Sequence, residues 1–497
     1  MRTRRAWARA VVVLAVSAVG LASGATPSTA GGLFVRRCPL VQYHSVPALH
    51  AQRVCMNLGV TTHGTQPGTY LFMTPGGDSG TGVGIFKDDG QLVWWQPAIA
   101  PRLWNLTVVH FQGQALLAEW AGRSIDHDHH EAGAIYLYNE HYQRVGMVTM
   151  GGSYSSNGVD IHEFNITPQG DALLASSPRV QTTVDGHPKN VYDYIIQKVS
   201  LVRDSTGIHT GRVLFQWNAL KHVPVSQSRL PPPPHRAFDY FHGNAIAQDT
   251  DGNLVISARN TWGLYKINIK TGAIMWQLGA KGDPKLPQPW CYQHDIRPLG
   301  NNRYSLFDDG GSGPNCLPGE TGHASRALII QVDPARHPAG VSLVRAYTHT
   351  PPLLAGICGS VQLLDNGDAL VGWGSVPEAT EYARNGSTLM DLSLSNWSYR
   401  DYRFPWVGQP LTRPAVAAEH TGPGTTVWAS WNGSTEVTAW RVLAGSSASH
   451  LIPVTAPRNE TGFETEISLS QPYKFVAVQA LSASGTVLAT STPIAPS

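Results

Sequence analysis

Charged residues are scarce in this chain, and so are cysteines and long apolar segments. Lys, Arg, Asp and Glu make up 14% of the 497 residues, and the formal net charge is only +2. A net charge this close to zero does not favour binding to nucleic acid or to an acidic partner. The five cysteines form no C-x-x-C motif, so their spacing does not argue for zinc or dithiol redox chemistry. After the first 30 residues, no apolar segment is long enough to cross a membrane.

Turn-forming and aromatic residues are abundant instead. The sequence contains 50 Gly, 35 Pro and 15 Trp, and 42% of it is hydrophobic. Low charge combined with many turn formers and aromatic residues is typical of all-β globular proteins. The length favours more than one domain.

The first 30 residues have the pattern of a secretory signal peptide. Four arginines and no acidic residue precede an apolar run over residues 11–22, and small residues follow. We therefore predict a signal peptide over residues 1–30, an N-terminal extension over 31–68, and a secreted protein that is extracellular or held at the cell surface. The alternative interpretation is an uncleaved membrane anchor.

Export makes disulfide bonds permissible. The economical pairs are Cys38 with Cys55 and Cys291 with Cys316, which leaves Cys358 over. Sequence alone cannot fix this connectivity. Whichever of them pair, we interpret the cysteines as residues that form structural disulfide bonds.

Four stretches share one template: an apolar strand, a turn with Gly, a second apolar strand, and then two more strands. They start near His162, His242, His294 and Ser360. Two further units lie upstream, in LTVVHFQGQALLAEW and in GTYLFMTP with GVGIFKDDGQLVWWQP. The unit that begins with GTYLFMTP lacks a first strand, which the chain after Trp397 would supply. The pattern predicts a six-bladed β-propeller over residues 69–409.

The template stops near residue 410. Short alternating strands continue in TTVWASWNGSTEVTAWRVLAG and ISLSQPYKFVAVQALSASGTVLATS. We predict an Ig-like or fibronectin type III-like β-sandwich over residues 410–497, acting as a spacer or contacting a cell surface or polymer.

Three histidines occupy matching positions in successive repeats: His162 in DIHEF, His242 in YFHGNAI and His294 in CYQHDIRPL. Equivalent positions of a repeat protein face the same place, so these side chains are expected to converge. Asn244 follows His242 on the same face of a strand, and Arg259 closes that hairpin. A guanidinium beside the histidines favours an anion such as sulfate or phosphate over a His₃ zinc site.

These residues resemble the arylsulfotransferase family, in particular a branch of secreted actinobacterial and fungal proteins. The resemblance is carried by DIHEF, DYFHGNAIAQDTDGNLVISAR, YKINIKTGAIMWQLG, QHDIRPL and GSVQLLDNGDALVGWGS. It implies a six-bladed propeller that moves a sulfuryl group from an aryl sulfate to a phenol without a nucleotide cofactor, and we expect no other cofactor. It also implies that a histidine in the central funnel carries the sulfuryl group covalently, in a ping-pong reaction.

Carried over residue by residue, the resemblance makes His294 the nucleophile. It also makes His242, Asn244, Arg259 and His162 catalytic residues, and Ser360 a substrate-binding residue. In this scheme His242 or His162 is the general acid, and Arg259 with Asn244 stabilises charge on the sulfuryl oxygens.

Further candidates come from the residues themselves. Tyr240 and Tyr292 are candidates to line the substrate funnel. Asp295 either orients an imidazole or caps a turn. The segment SIDHDHHEAG, residues 124–133, is either a metal site or, as its composition favours, a solvated loop.

Two other functions stay open at this point. The histidines could serve a metal-assisted ester hydrolase or lyase, which metal dependence would reveal. The chain could also be a secreted binding propeller with a vestigial histidine cluster, because fold does not imply function.

Overall fold

The computed structural model describes residues 42–57, 66, 68–76, 82–124, 131–281, 283, 286, 289–310 and 323–497. Within these ranges the chain is built from β-strands with short 3₁₀ turns at Gly152–Tyr154, Ala219–Lys221 and Val225–Gln227, so the all-β prediction is confirmed. The predicted signal peptide, Cys38, Cys316 and residues 125–130 of SIDHDHHEAG lie outside the described residues, and the cysteine pairing stays a prediction. No helix among the described residues is long and apolar enough to span a membrane.

Within the described residues, six four-stranded antiparallel units follow one another along the chain. Sheet one contains β27 (Ser398–Pro405), β2 (Thr69–Pro75), β3 (Gly82–Phe86) and β4 (Leu92–Pro97). Sheet two contains β5 (Arg102–Phe111), β6 (Gln114–Ser124), β7 (Glu131–Tyr138) and β8 (Arg144–Val148). Sheet three contains β9 (Phe164–Ile166), β10 (Asp171–Ser176), β13 (Ile195–Asp204) and β14 (Gly207–Asn218).

The remaining three units follow the same order. Sheet four contains β15 (Gly243–Gln248), β16 (Leu254–Ala258), β17 (Gly263–Ile267) and β18 (Ile274–Leu278). Sheet five contains β19 (His294–Gly300), β20 (Arg303–Asp308), β21 (Arg326–Asp333) and β22 (Gly340–Tyr347). Sheet six contains β23 (Ser360–Leu363), β24 (Ala369–Gly372), β25 (Glu378–Tyr382) and β26 (Thr388–Leu394), to which β1 (Val54–Met56) adds a fifth strand.

The first strands of the six sheets contact one another in a closed cycle. β5 contacts β9, β9 contacts β15, β15 contacts β19, β19 contacts β23, β23 contacts β27, and β27 contacts β5. The pairing of β27 with β2 matches Tyr70 to Phe404, so the chain after Trp397 does supply the first strand of sheet one. Neighbouring sheets pack through aromatic side chains, as where Trp276 of sheet four meets Tyr304 of sheet five at 5.7 Å between ring centroids.

Two connections depart from the simple repeat. A hairpin of β11 (Arg179–Val184) and β12 (His187–Tyr192) is inserted between the second and third strands of sheet three. β14 also pairs in parallel with β8 through Ile208 and Gly146, which joins sheets two and three at their outer edges.

The last part of the chain forms two further sheets. One contains β28 (Ala415–Thr421), β29 (Gly424–Ser430) and β33 (Glu464–Leu469). The other contains β30 (Ala439–Ser447), β31 (His450–Pro453), β34 (Phe475–Leu481) and β35 (Val487–Thr490), with β32 (Arg458–Asn459) paired to β30. Asn432 binds both backbone groups of Trp95, at 2.9 and 3.0 Å, and thereby ties this region to sheet one.

One buried carboxyl between sheets one and two predicts a pH-dependent stability. Burial raises the pKa of Glu119 from its ordinary value of 4.5 to about 7, although Tyr138 and Gln96 both donate hydrogen bonds to its Oε1 at 2.6 Å. Above pH 7 the folded state must therefore hold a buried charge, and stability falls as the pH rises from about 4.5 to 7. We expect Glu119→Gln, which keeps the acceptor oxygen, to be more stable than wild type at pH 8 by about 1–3 kcal/mol and similar at pH 5.

Thermal unfolding of both proteins between pH 5 and 8 measures this difference. The exposed Glu419 of β28 offers a matched control, because Glu419→Gln changes the same charge without a buried site. A constant difference between wild type and Glu119→Gln across this pH range would contradict the expected titration.

Candidate active site

The three repeat histidines meet at one cavity of about 510 Å³. His162 lies two residues before β9, His242 immediately precedes β15, and His294 is the first residue of β19, so all three stand at the same end of first strands. The cavity is lined by Arg102, Trp104, Ile161, His162, Leu230, Pro231, Pro233, Arg236, Ala237, Phe238, Asp239, His242, Arg259, Asn260, His294, Ile357, Cys358 and Trp397. The predicted convergence of the histidines is therefore observed.

Each of the three imidazoles is held by a carboxylate through Nδ1. His162 Nδ1 lies 2.7 Å from Asp160 Oδ1, and the Ser177 hydroxyl donates to the other oxygen of Asp160. His242 Nδ1 makes a short hydrogen bond with Asp239 Oδ2. Such a bond fixes the ring orientation and leaves Nε2 as the nitrogen for chemistry. Burial acts to raise the pKa of Asp160, but His162 beside it outweighs this effect, and the pKa is lowered.

The third pair, His294 with Asp309, is the most deeply buried. His294 Nδ1 lies 2.9 Å from Asp309 Oδ2, and His294 is 1% exposed. Burial lowers the pKa of His294 well below 6.5, and electrostatic interactions with the neighbouring Arg259, His162 and His242 lower it further. The imidazole is therefore neutral near pH 7, the form in which it can act as a nucleophile. Burial also raises the pKa of the Asp309 carboxyl well above its usual range, although Arg259 opposes this shift.

His162 and His242 are more accessible than His294. Their side chains are 12% and 25% exposed, and their rings meet edge to face with centroids 4.8 Å apart. His242 has a φ of +51°, in the left-handed region that non-glycine residues seldom adopt. Such conformations persist where the surrounding structure enforces them and are concentrated at functional sites.

Arg259 stands opposite His242 in the β15–β16 hairpin, because its backbone N–H donates to the His242 carbonyl at 2.9 Å. Its guanidinium lies over the Tyr292 ring at 4.6 Å and donates to Asn260 and to the Gly356 carbonyl. These two bonds use two of its five N–H donors. The arrangement places a permanent positive charge in the wall that also contains His294.

Asn244 is fully buried and is not among the residues that line the cavity. Its Nδ2 donates to the Gln293 carbonyl at 2.8 Å, so it fastens the residue that precedes His294. Asn244 therefore lies outside the cavity lining. It helps to hold in place the residue that precedes His294, the first residue of β19.

The three predicted substrate-binding residues also lie outside the cavity lining. Ser360 is buried and exchanges hydrogen bonds with the Asp401 backbone at 3.0 and 3.2 Å. Tyr240 packs between Phe238 and Phe241 in the core. The Tyr292 ring contacts the Arg259 guanidinium, so Tyr292 meets the site only through Arg259.

Neither interpretation of Asp295 holds. Its Oδ1 pairs with Arg297 at 2.6 Å, and its Oδ2 accepts the backbone N–H of Val361 at 2.9 Å. It thus neither orients an imidazole nor caps a turn. With Glu163 and Arg400 it belongs to a buried ionic network, in which Glu163 pairs with Arg297 at 2.9 Å and with Arg400 at 3.2 Å.

Sequence reasoning missed the carboxylates that do orient the imidazoles. Two of them had a local signal, because Asp160 stands two residues before His162 and Asp239 three residues before His242. Asp309 had a weaker one: it follows β20, whose Phe307 pairs with His294 across the hairpin. Among the described residues, no group of three or more His, Cys, Asp and Glu side chains could hold a metal ion.

Comparison with known proteins matches a family to the part of the chain that supplies most of the cavity lining. A family model described as Arylsulfotransferase (ASST) matches residues 107–395, more than half of the chain, and this range contains the three histidines and Arg259. No curated protein matches the chain.

Solved structures match at low identity. A Bacteroides caccae protein of unknown function has 12% identity and a TM-score of 0.41, covering 68% of this chain and 98% of its own. Virginiamycin B lyase from Staphylococcus aureus has 11% identity and a TM-score of 0.33, covering 77% and 97%. A GH43 protein from Bacillus licheniformis has 9% identity and a TM-score of 0.32, covering 76% and 84%. At identities and TM-scores this low, the likeness to these structures says nothing about the substrate or the mechanism of this chain.

Proposed function

We propose that this chain, which belongs to the arylsulfotransferase (ASST) family, transfers a sulfuryl group from an aryl sulfate to a phenol through a covalent intermediate on His294. The observation that carries this proposal is the buried His294, bonded through Nδ1 to Asp309, in a cavity also lined by His162, His242 and Arg259. No cofactor takes part in the proposed reaction.

In the first half-reaction, Nε2 of His294 attacks the sulfur of the aryl sulfate. A bond forms between nitrogen and sulfur, and the bond from sulfur to the aryl oxygen breaks. The phenolate leaves with the bonding electrons and takes a proton from His242 or His162, whose rings face the same cavity. Arg259 stabilises the negative charge of the sulfuryl oxygens with hydrogen bonds from its guanidinium.

Asp309 matters because attack places positive charge on the His294 ring. In its ionised form Asp309 accepts a hydrogen bond from Nδ1–H of His294, which keeps the ring proton on Nδ1 and leaves the Nε2 lone pair for sulfur. The raised pKa of Asp309 makes it a better acceptor for that proton once the ring is sulfated. In the second half-reaction a neutral imidazole, His242 or His162, takes the acceptor's proton. The phenol oxygen then displaces His294 from sulfur.

The depressed pKa of His294 predicts a flat pH profile for its sulfation. Because its pKa lies well below 6.5, the ring stays neutral from pH 8 down to pH 6, and its nucleophilic form is not lost. We expect the single-turnover rate with 4-nitrophenyl sulfate, whose leaving group needs little protonation, to show no loss with a midpoint near pH 6.5, the ordinary pKa of histidine. Stopped-flow release of nitrophenolate measures it. A fall toward pH 6 with a midpoint near 6.5 would contradict the assigned nucleophile.

Intact-protein mass after brief mixing with an aryl sulfate, without acceptor, tests the proposed function. We expect a gain equal to one SO₃ group per chain, lost again when a phenol is added, and unchanged by a metal chelator. Phenol release without a mass gain would point to direct hydrolysis. Release that stops with the chelator would point to a metal-assisted ester hydrolase or lyase.

We extend the proposal to the organisation of the whole chain. The closed cycle of contacts among first strands supports six blades of a propeller. Residues 1–30 are proposed to export the enzyme to the extracellular space or cell surface, and the chain is proposed to belong to the secreted branch of the family. Residues 410–497 are proposed as an Ig-like or fibronectin type III-like module that contacts a surface or polymer.

A further inference from the structure

A second cavity lies at the other end of the six first strands. Its volume is about 410 Å³, which is within the usual range for small-molecule sites. The three histidines stand where their strands begin, whereas this cavity is lined by residues further along, such as Gln248 at the end of β15, Arg297 in β19 and Leu363 at the end of β23. Among the described residues it shares no lining residue with the histidine cavity, and we call it the Arg297 cavity.

The charge that faces the Arg297 cavity is positive. Its described lining contains two charged residues, Glu163 and Arg297. The Glu163 side chain is 1% exposed, because its Oε1 accepts the backbone N–H of Phe164 at 3.1 Å and its Oε2 pairs with Arg400 at 3.2 Å. The Arg297 side chain is 20% exposed. A ligand in this cavity therefore meets the guanidinium and not the carboxylate, which favours an anion.

The guanidinium of Arg297 is held in place by one of its nitrogens. Nη2 lies 2.6 Å from Asp295 Oδ1, 2.9 Å from Glu163 Oε2 and 3.2 Å from the Tyr402 hydroxyl. Among the described residues, Nε and Nη1 have no hydrogen-bond partner, and neither of these atoms is cut off from solvent. Nε and Nη1 carry three of the five N–H donors of an arginine. Because Arg297 lines this cavity and not the histidine cavity, these donors are available to a ligand in the Arg297 cavity.

Much of the remaining wall is apolar. Phe164, Leu299, Leu363 and Phe404 all line the cavity. An apolar wall with a single accessible charge is typical of a site for an organic molecule. An inorganic ion would leave this wall uncovered, and a single guanidinium matches a singly charged anion such as a carboxylate.

We propose that the Arg297 cavity is a second ligand site, which binds an organic carboxylate with an apolar body. The carboxylate accepts charge-assisted hydrogen bonds from Nε or Nη1 of Arg297, and the apolar body lies against the wall. The guanidinium is oriented by its three Nη2 contacts before the ligand arrives, which lowers the cost of binding.

Calorimetry with naphthalene-2-carboxylate tests this site at pH 8, where the probe is ionised. Naphthalene-2-carboxamide is the matched neutral probe of the same shape. We expect wild type to bind the carboxylate with a Kd below about 1 mM and the amide about tenfold or more weakly, because hydrogen bonds to charged groups are the stronger ones. Arg297→Gln should weaken carboxylate binding about tenfold or more and bring the two probes to similar Kd values.

Arg259→Gln is the matched control, because it makes the same change in the histidine cavity. It should keep the wild-type Kd for the carboxylate. Binding that is lost in Arg259→Gln and kept in Arg297→Gln would place the carboxylate beside the histidines and overturn the inference. No aryl sulfate is present in these titrations, so their outcome is independent of whether the chain transfers a sulfuryl group.

A second variant leaves the ion pairs of Arg297 intact. Thr107 is half-buried and lines the Arg297 cavity from β5, so the indole of Thr107→Trp would occupy part of its volume. We expect Thr107→Trp to lose carboxylate binding and Thr107→Ser, which adds no bulk, to keep it. Absence of carboxylate binding in wild type, equal Kd values for the two probes, or an unchanged Kd in Thr107→Trp overturns the inference.

Discussion

His294→Ala is expected to abolish both the sulfuryl adduct and phenol release. Removing the nucleophile of a covalent mechanism costs on the order of 10⁴- to 10⁶-fold in kcat, because the remaining groups bind the substrate but have nothing to transfer the sulfuryl group to. Nitrophenol release from an aryl sulfate measures the rate, and intact-protein mass reports the adduct. His162→Ala and His242→Ala should lose less than His294→Ala with nitrophenyl sulfate, because that donor needs little proton transfer.

Chemical rescue separates a lost nucleophile from a misfolded site. The alanine variant leaves a space where the imidazole stood, and added imidazole can enter it as a small nucleophile. We expect imidazole to restore part of the phenol release in His294→Ala without restoring the protein adduct. An adduct that persists in this variant, with thermal stability like that of wild type, would place the nucleophile elsewhere.

The histidines could be found from the sequence because the repeat itself carries their position. A first strand, a glycine turn and a second strand recur around His162, His242 and His294, and repetition around a common axis brings equivalent positions together. The same logic identified the missing strand of sheet one, which is β27. The sequence repeats the local unit of strand, glycine turn and strand. Because these units are arranged around a common axis, their equivalent positions converge.

The contacts between neighbouring sheets do not repeat along the sequence, so they could not be predicted from the repeat. The parallel pairing of β8 with β14 depends on where two outer strands end in space, and no local pattern specifies it. The same holds for Asn244, whose alternation with His242 indicated a shared face. The side chain instead bonds to the Gln293 carbonyl, since His242 precedes β15 with a φ of +51° and the register shifts between Gly243 and Ala245, so regular strand alternation does not relate His242 to Asn244.

The Asp295 prediction was wrong for a related reason. The QHD sequence places a carboxylate next to His294, and proximity along the chain suggested an interaction with the imidazole. Asp295 has a φ of +60°, and its carboxylate pairs with the partly exposed guanidinium of Arg297. The carboxylate that does reach the ring, Asp309, comes from the far side of the β19–β20 hairpin.

Asp309→Asn is therefore the second substitution expected to have a large effect. Asparagine fits the same space, but its amide can donate a hydrogen bond to Nδ1 of His294 and so stabilise the tautomer that carries its proton on Nε2. That tautomer has no lone pair directed at sulfur, and the amide cannot take up the Nδ1 proton when the ring is sulfated. By analogy with the orienting aspartate of a serine protease triad, whose replacement by asparagine costs about 10⁴-fold, we expect a loss of about 10³- to 10⁴-fold in the rate of adduct formation.

Asp160→Asn and Asp239→Asn are the matched comparisons, because each alters the same bond to a different imidazole. If His294 is the nucleophile and the other two histidines move protons, these variants should slow phenyl sulfate, a donor with a poor leaving group, more than nitrophenyl sulfate. Asp309→Asn should slow both donors alike, because His294 is the nucleophile with either donor, whether or not the leaving group needs a proton. An Asp309→Asn loss confined to phenyl sulfate would mean that His294 transfers protons, and that another imidazole of the cavity attacks sulfur.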